Sequence, residues 1–328
     1  MSLLEIDNLS VDYRVGSMSV RAVDHVSLRV QSGEAVGVVG ESGCGKTSLG
    51  LSVPLLLPAN ATISSGTISL AGSDVVGMSE KEMNRLRWTT VAFVFQGAMN
   101  ALNPVQRVDR QILEAITAHD SHAPKDAARE RVLELLDRVG VSPARAKSYP
   151  HEFSGGMRQR AMIAMALACR PLLLIADEPT TALDVISQAQ ILALLRSLRR
   201  SEDLSLLMIS HDLSAIKRVC DRIVVMYAGV IVESGSTEQV LGSRSGSAQA
   251  AHPYTQALVQ AHPDLRGDRL LAQGLPGHPP DLSKPITGCR FADRCPMVMP
   301  VCRDVAPPTV TLAPGHVAVC HLLAKGAS

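Results

Sequence analysis

Short apolar runs alternate along the chain with stretches whose apolar residues recur every three or four positions. Leu3 to Tyr13 alternates apolar and polar residues and predicts an edge strand, and Val23 to Val30 predicts a second strand. Ser32-Gly33 makes a turn, and the β-branched run Glu34 to Val39 then enters a glycine loop. Thr47 to Leu57 continues as an apolar helix with Pro58 as its stop. Further on, helical spacing predicts helices over Ala127–Val139, Met157–Cys169, Ser187–Arg199, Leu213–Val219 and Tyr254–Gln260. Strands are predicted at Val91–Phe95, Leu172–Ala176, Leu204–Ile209 and Ile223–Tyr227. Leu172 to Ala176 is wholly apolar, as a parallel strand buried on both faces requires. Strands that alternate with helices predict an α/β fold with a parallel sheet covered on both sides.

The pattern breaks at Gly242 to Ala251 (GSRSGSAQAA), which reads as a flexible connector. Beyond it the chain turns rich in Pro, Gly and Cys. A boundary near residue 250 is expected, with residues 1–250 as the main domain and 251–328 as a small extension. No internal repeat is present. With 328 residues, 46% hydrophobic and 19% charged, most of the chain should be globular. The formal net charge of +1 exerts no general pull toward nucleic acid or an anionic membrane surface. The N-terminus lacks the apolar run of a signal peptide, and the most apolar stretch, Ala161 to Ala176, is broken by Arg170 and Pro171. It falls short of the roughly 20 residues that span a bilayer. A cytosolic protein is expected, reaching any membrane through partners.

The chemistry starts at Gly40-Glu41-Ser42-Gly43-Cys44-Gly45-Lys46-Thr47, between a strand and a helix. Glycines at this spacing let consecutive backbone N–H groups point into one anion nest at a helix N-terminus. Lys46 then supplies a point charge to the β- and γ-phosphates, the Thr47 hydroxyl can ligate Mg²⁺, and Ser48 begins the helix. A glycine-rich turn that merely contains Lys-Thr is the plain alternative. A second element is Leu172 to Glu178 (LLLIADE). Asp177, ending a buried strand, is placed to hold Mg²⁺, and Glu178 beside it to polarise an attacking water. Read alone, the acidic pair could simply end the strand and cap the next helix. Ser154-Gly155-Gly156 forms another small nest ahead of a helix. One nucleotide does not need two nests in the same P-loop protein.

Together with Phe153-Ser154-Gly155-Gly156-Met157-Arg158-Gln159-Arg160, these motifs resemble the ABC ATPases over nearly the whole chain. The resemblance implies a P-loop NTPase (RecA-like) core with an N-terminal antiparallel β portion and a helical subdomain at about residues 98–165. It implies that Ser154, Gly155 and Gly156 close on the γ-phosphate held by another subunit. Gln96 matches the Q-loop glutamine that touches Mg²⁺ and the water. Ala182-Leu183-Asp184 matches the D-loop, and His211 the switch histidine. Tyr13 fits the aromatic that stacks on adenine, although a buried strand tyrosine reads equally well, and Arg14, Val15 and Val20 would share its face. Gly97-Ala98 and Phe153 depart from the commoner Asp-Pro and Leu.

Ala101-Leu102-Asn103-Pro104, His252-Pro253-Tyr254-Thr255-Gln256-Ala257-Leu258 and the cysteine-bearing tail resemble the oligopeptide/dipeptide (and nickel) importer ATPases. Seven cysteines in a reducing compartment do not read as disulfides. Cys289, Cys295, Cys302 and Cys320 sit in a segment with little core of its own, which calls for a staple. No pair has CxxC spacing, so the reading leans to iron–sulfur over zinc, with free thiols also open; the resemblance implies a 4Fe–4S cluster. Cys44, Cys169 and Cys220 read as packing residues, Cys44 being a candidate for oxidation. The family implies two permease subunits, a second ATPase subunit and an extracytoplasmic binding protein as partners, with no nucleic acid. Peptides are the expected cargo; oligosaccharides, nickel or a metal chelate are alternatives, and a soluble ABC ATPase acting on DNA or ribosomes is the reading from another class.

Overall fold

The computed structural model describes residues 2–97, 102–120, 124–242, 250–261, 275 and 277–324. The Gly97-Ala98 and Ala101–Pro104 motifs are therefore only partly described, and most of the connector lies outside these residues. Twelve strands form two sheets among the described residues. The smaller is antiparallel, in the order β2 (Met18–Gln31), β1 (Ser2–Val15), β4 (Ala61–Leu70), β5 (Ser73–Asp74). The larger runs β11 (Thr309–Ala313), β12 (His316–Val319), β10 (Val230–Ser236), β9 (Arg222–Tyr227), β3 (Ala35–Val39), β8 (Ser205–Ile209), β7 (Leu173–Asp177), β6 (Val91–Val94). From β9 to β6 its pairings are parallel, while β10, β12 and β11 add antiparallel neighbours.

Alternation along the central strands sorts their side chains onto two cores. Val36, Val38, Leu173, Ile175, Leu207 and Ile209 face the small sheet, packing with Leu4, Ile6 and Leu49. Ala35, Val39, Leu174, Ala176, Leu206 and Met208 face the opposite way, toward helices. Those helices include α3 (Val108–His119), α4 (Lys125–Arg138), α5 (Gly155–Ala166), α6 (Val185–Glu202) and α7 (Leu213–Val219), while α1 (Lys46–Ser52) packs on the sheet near β8 and β7 and α2 (Glu80–Leu86) follows the small sheet. The wholly buried central strands thus satisfy both faces at once, as the apolar runs in the sequence require.

Two expectations need correction. β1 is not an edge strand, because it pairs with β2 on one side and β4 on the other. The unforeseen partner β4 (ATISSGTISL) is rich in Ser and Thr, and only Ile68 and Leu70 along it are buried. Helix α1 ends at Ser52, well before Leu57; Pro54, which has no N–H to donate, precedes Pro58 as the stop. The extension also adds strands that its sequence does not announce, since β12 pairs with β10 and carries β11 into the large sheet. Among the described residues no helix is long and apolar enough to cross a membrane.

Candidate functional site

The carboxyl ends of β3, β8 and β7 lie side by side, because β8 pairs in parallel with both of the others. Chain connectivity then brings together the glycine loop after β3, Asp177-Glu178 at the end of β7 and Ser210-His211 after β8. In an open α/β sheet this edge is where ligands bind.

The glycine loop needs its glycines for space as well as for conformation. Gly40 (φ 151°) and Gly45 (φ 102°) each pass a carbonyl so closely that a Cβ would sit 2.1 Å from Met226 O or Ala22 O. Gly43 (φ 80°) has open space around it. Gly45→Ala is accordingly expected to destabilise the fold by about 1–3 kcal/mol through overpacking and to abolish nucleotide binding. Gly43→Ala meets no such clash and should lose only about 1–2 kcal/mol to its left-handed backbone, a strain that Gly45→Ala carries in addition to its clash. Thermal unfolding and nucleotide titration of the two variants check this contrast.

Lys46 is buried and donates Nζ–H to Gly40 O at 2.8 Å and Glu41 O at 2.9 Å. The Thr47 hydroxyl lies beside the Asp177 carboxyl. Burial pushes the Asp177 carboxyl above the usual carboxylate range, against the pull of the Thr47 hydroxyl, and the neighbouring Glu178 adds to the rise. Asp177 Oδ1 is buried without a hydrogen-bond partner. An orphaned carboxylate oxygen beside a threonine hydroxyl, in front of a phosphate nest, suits a hard cation with oxygen ligands such as Mg²⁺.

Glu178 is buried and its backbone is left-handed (φ 48°), a conformation that costs a non-glycine residue about 1–3 kcal/mol. Its N–H donates to Ile209 O at 2.9 Å, which helps hold that shape. Its Oε1 accepts the backbone N–H of His211 at 3.0 Å and lies 2.8 Å from His211 Nδ1, and its Oε2 accepts the Thr181 hydroxyl at 3.0 Å. His211 itself is mostly exposed. Both groups therefore meet at the edge of the nest.

The other expected residues fall in three places. The Tyr13 hydroxyl is 3.0 Å from Ser48 Oγ, so the ring stands half-buried over the start of α1. Gln96 is exposed just beyond β6, next to the exposed Phe95. Ser154 caps α5, its Oγ accepting the Met157 N–H at 3.2 Å, and α5 packs on α3, α4, α6 and β6. Gly156 is needed where α5 meets α6, since a Cβ there would come within 2.7 Å of Ser187 Oγ. Asp184 caps α6 by accepting Ser187 N–H at 2.9 Å and Ser187 Oγ–H at 2.7 Å, which holds its carboxyl below the ordinary value. Cys44 is buried and burial pushes its thiol up, the reverse of what an oxidation-prone cysteine needs.

Cys289, Cys295, Cys302 and Cys320 all line one small cavity, together with His252 and Phe291. Burial pushes Cys289 up to about 11, the other three thiols adding to the rise. Among the described residues, however, no group of three or more His, Cys, Asp or Glu could hold a metal ion. The expected iron–sulfur site is thus not present as a formed ligand set.

Two residues that the motifs did not flag also reach the nest. Arg294, between the cysteines, grips the Glu41 carboxylate at 2.6 and 2.8 Å, and the Tyr254 hydroxyl accepts the Glu41 N–H at 2.9 Å.

A parallel sheet that presents a glycine nest, a lysine and an orphaned aspartate at one edge, with a helical layer bearing a Ser-Gly-Gly cap, belongs to the P-loop ATPases of the ABC class. The profile of the family described as ABC transporter matches residues 23–181, and that of the oligopeptide/dipeptide transporter C-terminal region matches 232–302. A probable peptide ABC transporter ATP-binding protein of Sinorhizobium fredii is 44% identical, covering 97% of this chain and 94% of its own length. The dipeptide transport ATP-binding protein DppD of Escherichia coli is 43% identical over 98% of this chain and 97% of its own, and OppD of Salmonella typhimurium is 42% identical over 97% and 93%. The dimeric ATP-binding cassette MJ0796, solved with ADP and Pi, superposes with a TM-score of 0.65 at 25% identity, covering 71% of this chain and 98% of that one. The chain belongs to the ATP-binding subunits of the oligopeptide/dipeptide ABC transporters.

Proposed function

We propose that the chain hydrolyses ATP to drive import of di- or oligopeptides through an ABC permease. The observation that carries this reading is the buried, partnerless Asp177 Oδ1 beside Thr47 at the mouth of the glycine nest. In this reading the N–H groups of residues 40–47 and the Lys46 ammonium bind the phosphates. Thr47, Asp177 and Gln96 hold Mg²⁺, which neutralises phosphate charge when bound. Glu178, oriented by His211 and Thr181, accepts the proton of the attacking water. Tyr13 stacks on the adenine.

Ser154 caps a helix that packs on the helical layer, so the Ser154-Gly155-Gly156 turn is read as serving the nucleotide of a facing subunit, with Asp184 at the same junction. The dimeric state of MJ0796 supports that arrangement. The domain assignment is residues 1–250 for the ATPase, with a helical subdomain at about 98–165, and 251–328 for the extension. The chain works at the cytoplasmic face of the membrane with two permease subunits, a second ATPase subunit and an extracytoplasmic binding protein. The names of its relatives support peptide as cargo. Vesicles reconstituted with the full complex and its binding protein should take up labelled peptide only with ATP. Uptake of nickel or an oligosaccharide in place of peptide would replace the cargo.

The four cysteines of the extension are read as ligands of a 4Fe–4S cluster. Their common cavity supports this. Chain isolated without oxygen should carry about four irons and absorb in the visible, and Cys302→Ala should lose both. Zinc without iron, or neither metal, would remove the cluster.

A further inference from the structure

We propose that the C-terminal extension is a clamp on the P-loop, with Arg294 and Tyr254 as positioning residues that set the nucleotide affinity of the same subunit. The proposal rests on the ATP reading of the glycine nest.

Glu41 is the first non-glycine residue of the nest, and all three of its polar functions are engaged. Its carbonyl accepts from Lys46 at 2.9 Å, within the loop itself. Its N–H donates to the Tyr254 hydroxyl at 2.9 Å, and its carboxylate takes both Arg294 nitrogens, at 2.6 and 2.8 Å. The last two partners lie more than two hundred residues further along the chain, one on α8 (Pro253–Gln260) and one between Cys289 and Cys295. An arginine fork on a carboxylate fixes a plane as well as a distance.

The partners are themselves held rigidly. Arg294 has a side chain only 5% exposed, and its Nη1 also donates to the Tyr227 hydroxyl at 3.2 Å. Tyr254, Tyr227 and Phe291 are fully buried and meet with ring centroids 4.6–5.4 Å apart. Four residues before Arg294, Arg290 donates to Asp24 and to the Ala228 carbonyl. Asp24 lies two residues beyond Ala22, whose carbonyl is the atom that excludes a side chain at Gly45. Of the two arginines of Cys289-Arg290-Phe291-Ala292-Asp293-Arg294-Cys295, Arg294 thus grips the nest itself, while Arg290 holds Asp24 and the Ala228 carbonyl near it.

A phosphate nest binds well only when its N–H groups already converge. Holding the Glu41 peptide in place removes part of the ordering cost that the nucleotide would otherwise meet. The extension therefore contributes to affinity without touching the nucleotide.

The test measures binding of Mg²⁺–AMP-PNP to the full chain, and the KM for ATP of the assembled transporter. Arg294→Met and Tyr254→Phe should each weaken AMP-PNP binding by about fivefold or more, the size of a modest coupling energy. The KM for ATP should rise more than kcat falls. Arg294→Lys, which keeps the charge and loses the fork, should restore part of the affinity. Glu41→Gln should weaken binding as Arg294→Met does, and the double variant should be no weaker than the worse single one. Wild-type affinity in Arg294→Met and Tyr254→Phe, or additive losses in the double variant, would overturn the clamp. Should Arg294→Met fail to fold, Glu41→Gln and Tyr254→Phe carry the same comparison. If the wild-type chain does not bind AMP-PNP while remaining folded, the ATP reading fails, and the clamp with it.

Discussion

Glu178→Gln should bind ATP within about twofold of the wild-type chain, yet lose steady-state hydrolysis in the assembled complex by a factor of about 10²–10⁴, the range a positioned general base supplies. The amide has the shape of the acid: its oxygen can still accept the His211 N–H, and its NH₂ can donate to the Thr181 hydroxyl, which turns from donor to acceptor, at the two positions that are each 3.0 Å from their partner. It also needs no change in the left-handed backbone at this position. What it lacks is a basic oxygen, so binding and chemistry separate. His211→Ala should fall between the two, because it removes the imidazole that fixes the carboxylate and leaves the carboxylate itself. Phosphate release measured beside equilibrium ATP binding gives both quantities. Near-normal turnover by the glutamine variant would end the assignment of Glu178 as the base.

The second large effect concerns stability and is expected far from the nest. Glu233 on β10 is fully buried and accepts three hydrogen bonds: from Ala251 N–H and His252 N–H, each at 2.9 Å, and from His316 Nε2 at 2.8 Å. Burial pushes His252 down to about 4, so its ring is neutral at ordinary pH and Nδ1 is free to accept the Tyr254 N–H at 3.1 Å. Glu233→Ala strands a buried and a half-buried backbone donor and one buried imidazole, and breaking such a site costs about 3–5 kcal/mol. For a protein whose whole stability is about 5–15 kcal/mol, that is a severe loss. Glu233→Gln should also destabilise, because its NH₂ would face an N–H donor. Denaturant unfolding of both variants measures the effect; a change under about 1 kcal/mol in the alanine variant would mean that water replaces the carboxylate.

The central sheet and the glycine loop are legible because their sequence signals are local. β3, β7 and β8 are short apolar runs, and the nest is one unbroken string of residues. The capping box of Ser79 and Glu82 at the start of α2 is an equally local signal. β4 was hidden: its Ser/Thr-rich run becomes a strand only because β1 offers it a partner. The links from Arg294 and Tyr254 to Glu41 span more than two hundred residues and leave no periodicity to find. In the tail the cysteines drew attention as possible ligands, while the arginines between them, which make the contacts, look like ordinary surface residues in sequence. The iron–sulfur expectation came from the family and from residue spacing, and the geometry supplies four thiols on one cavity without a formed site.

The antiparallel pairing of β10 with β12 bears on how such proteins can be cut and recombined. Without residues past 250, β10 would present an open row of backbone donors and acceptors beside an apolar sheet, the usual template for aggregation. The same cut would remove the donors that satisfy Glu233 and the side chains that close over Glu41. A cassette trimmed at the apparent boundary is therefore not a smaller working motor. A tail grafted from a relative would have to match β10, Glu233 and Glu41 together, so the seam for a functional chimera runs through the ATPase sheet and not through the connector.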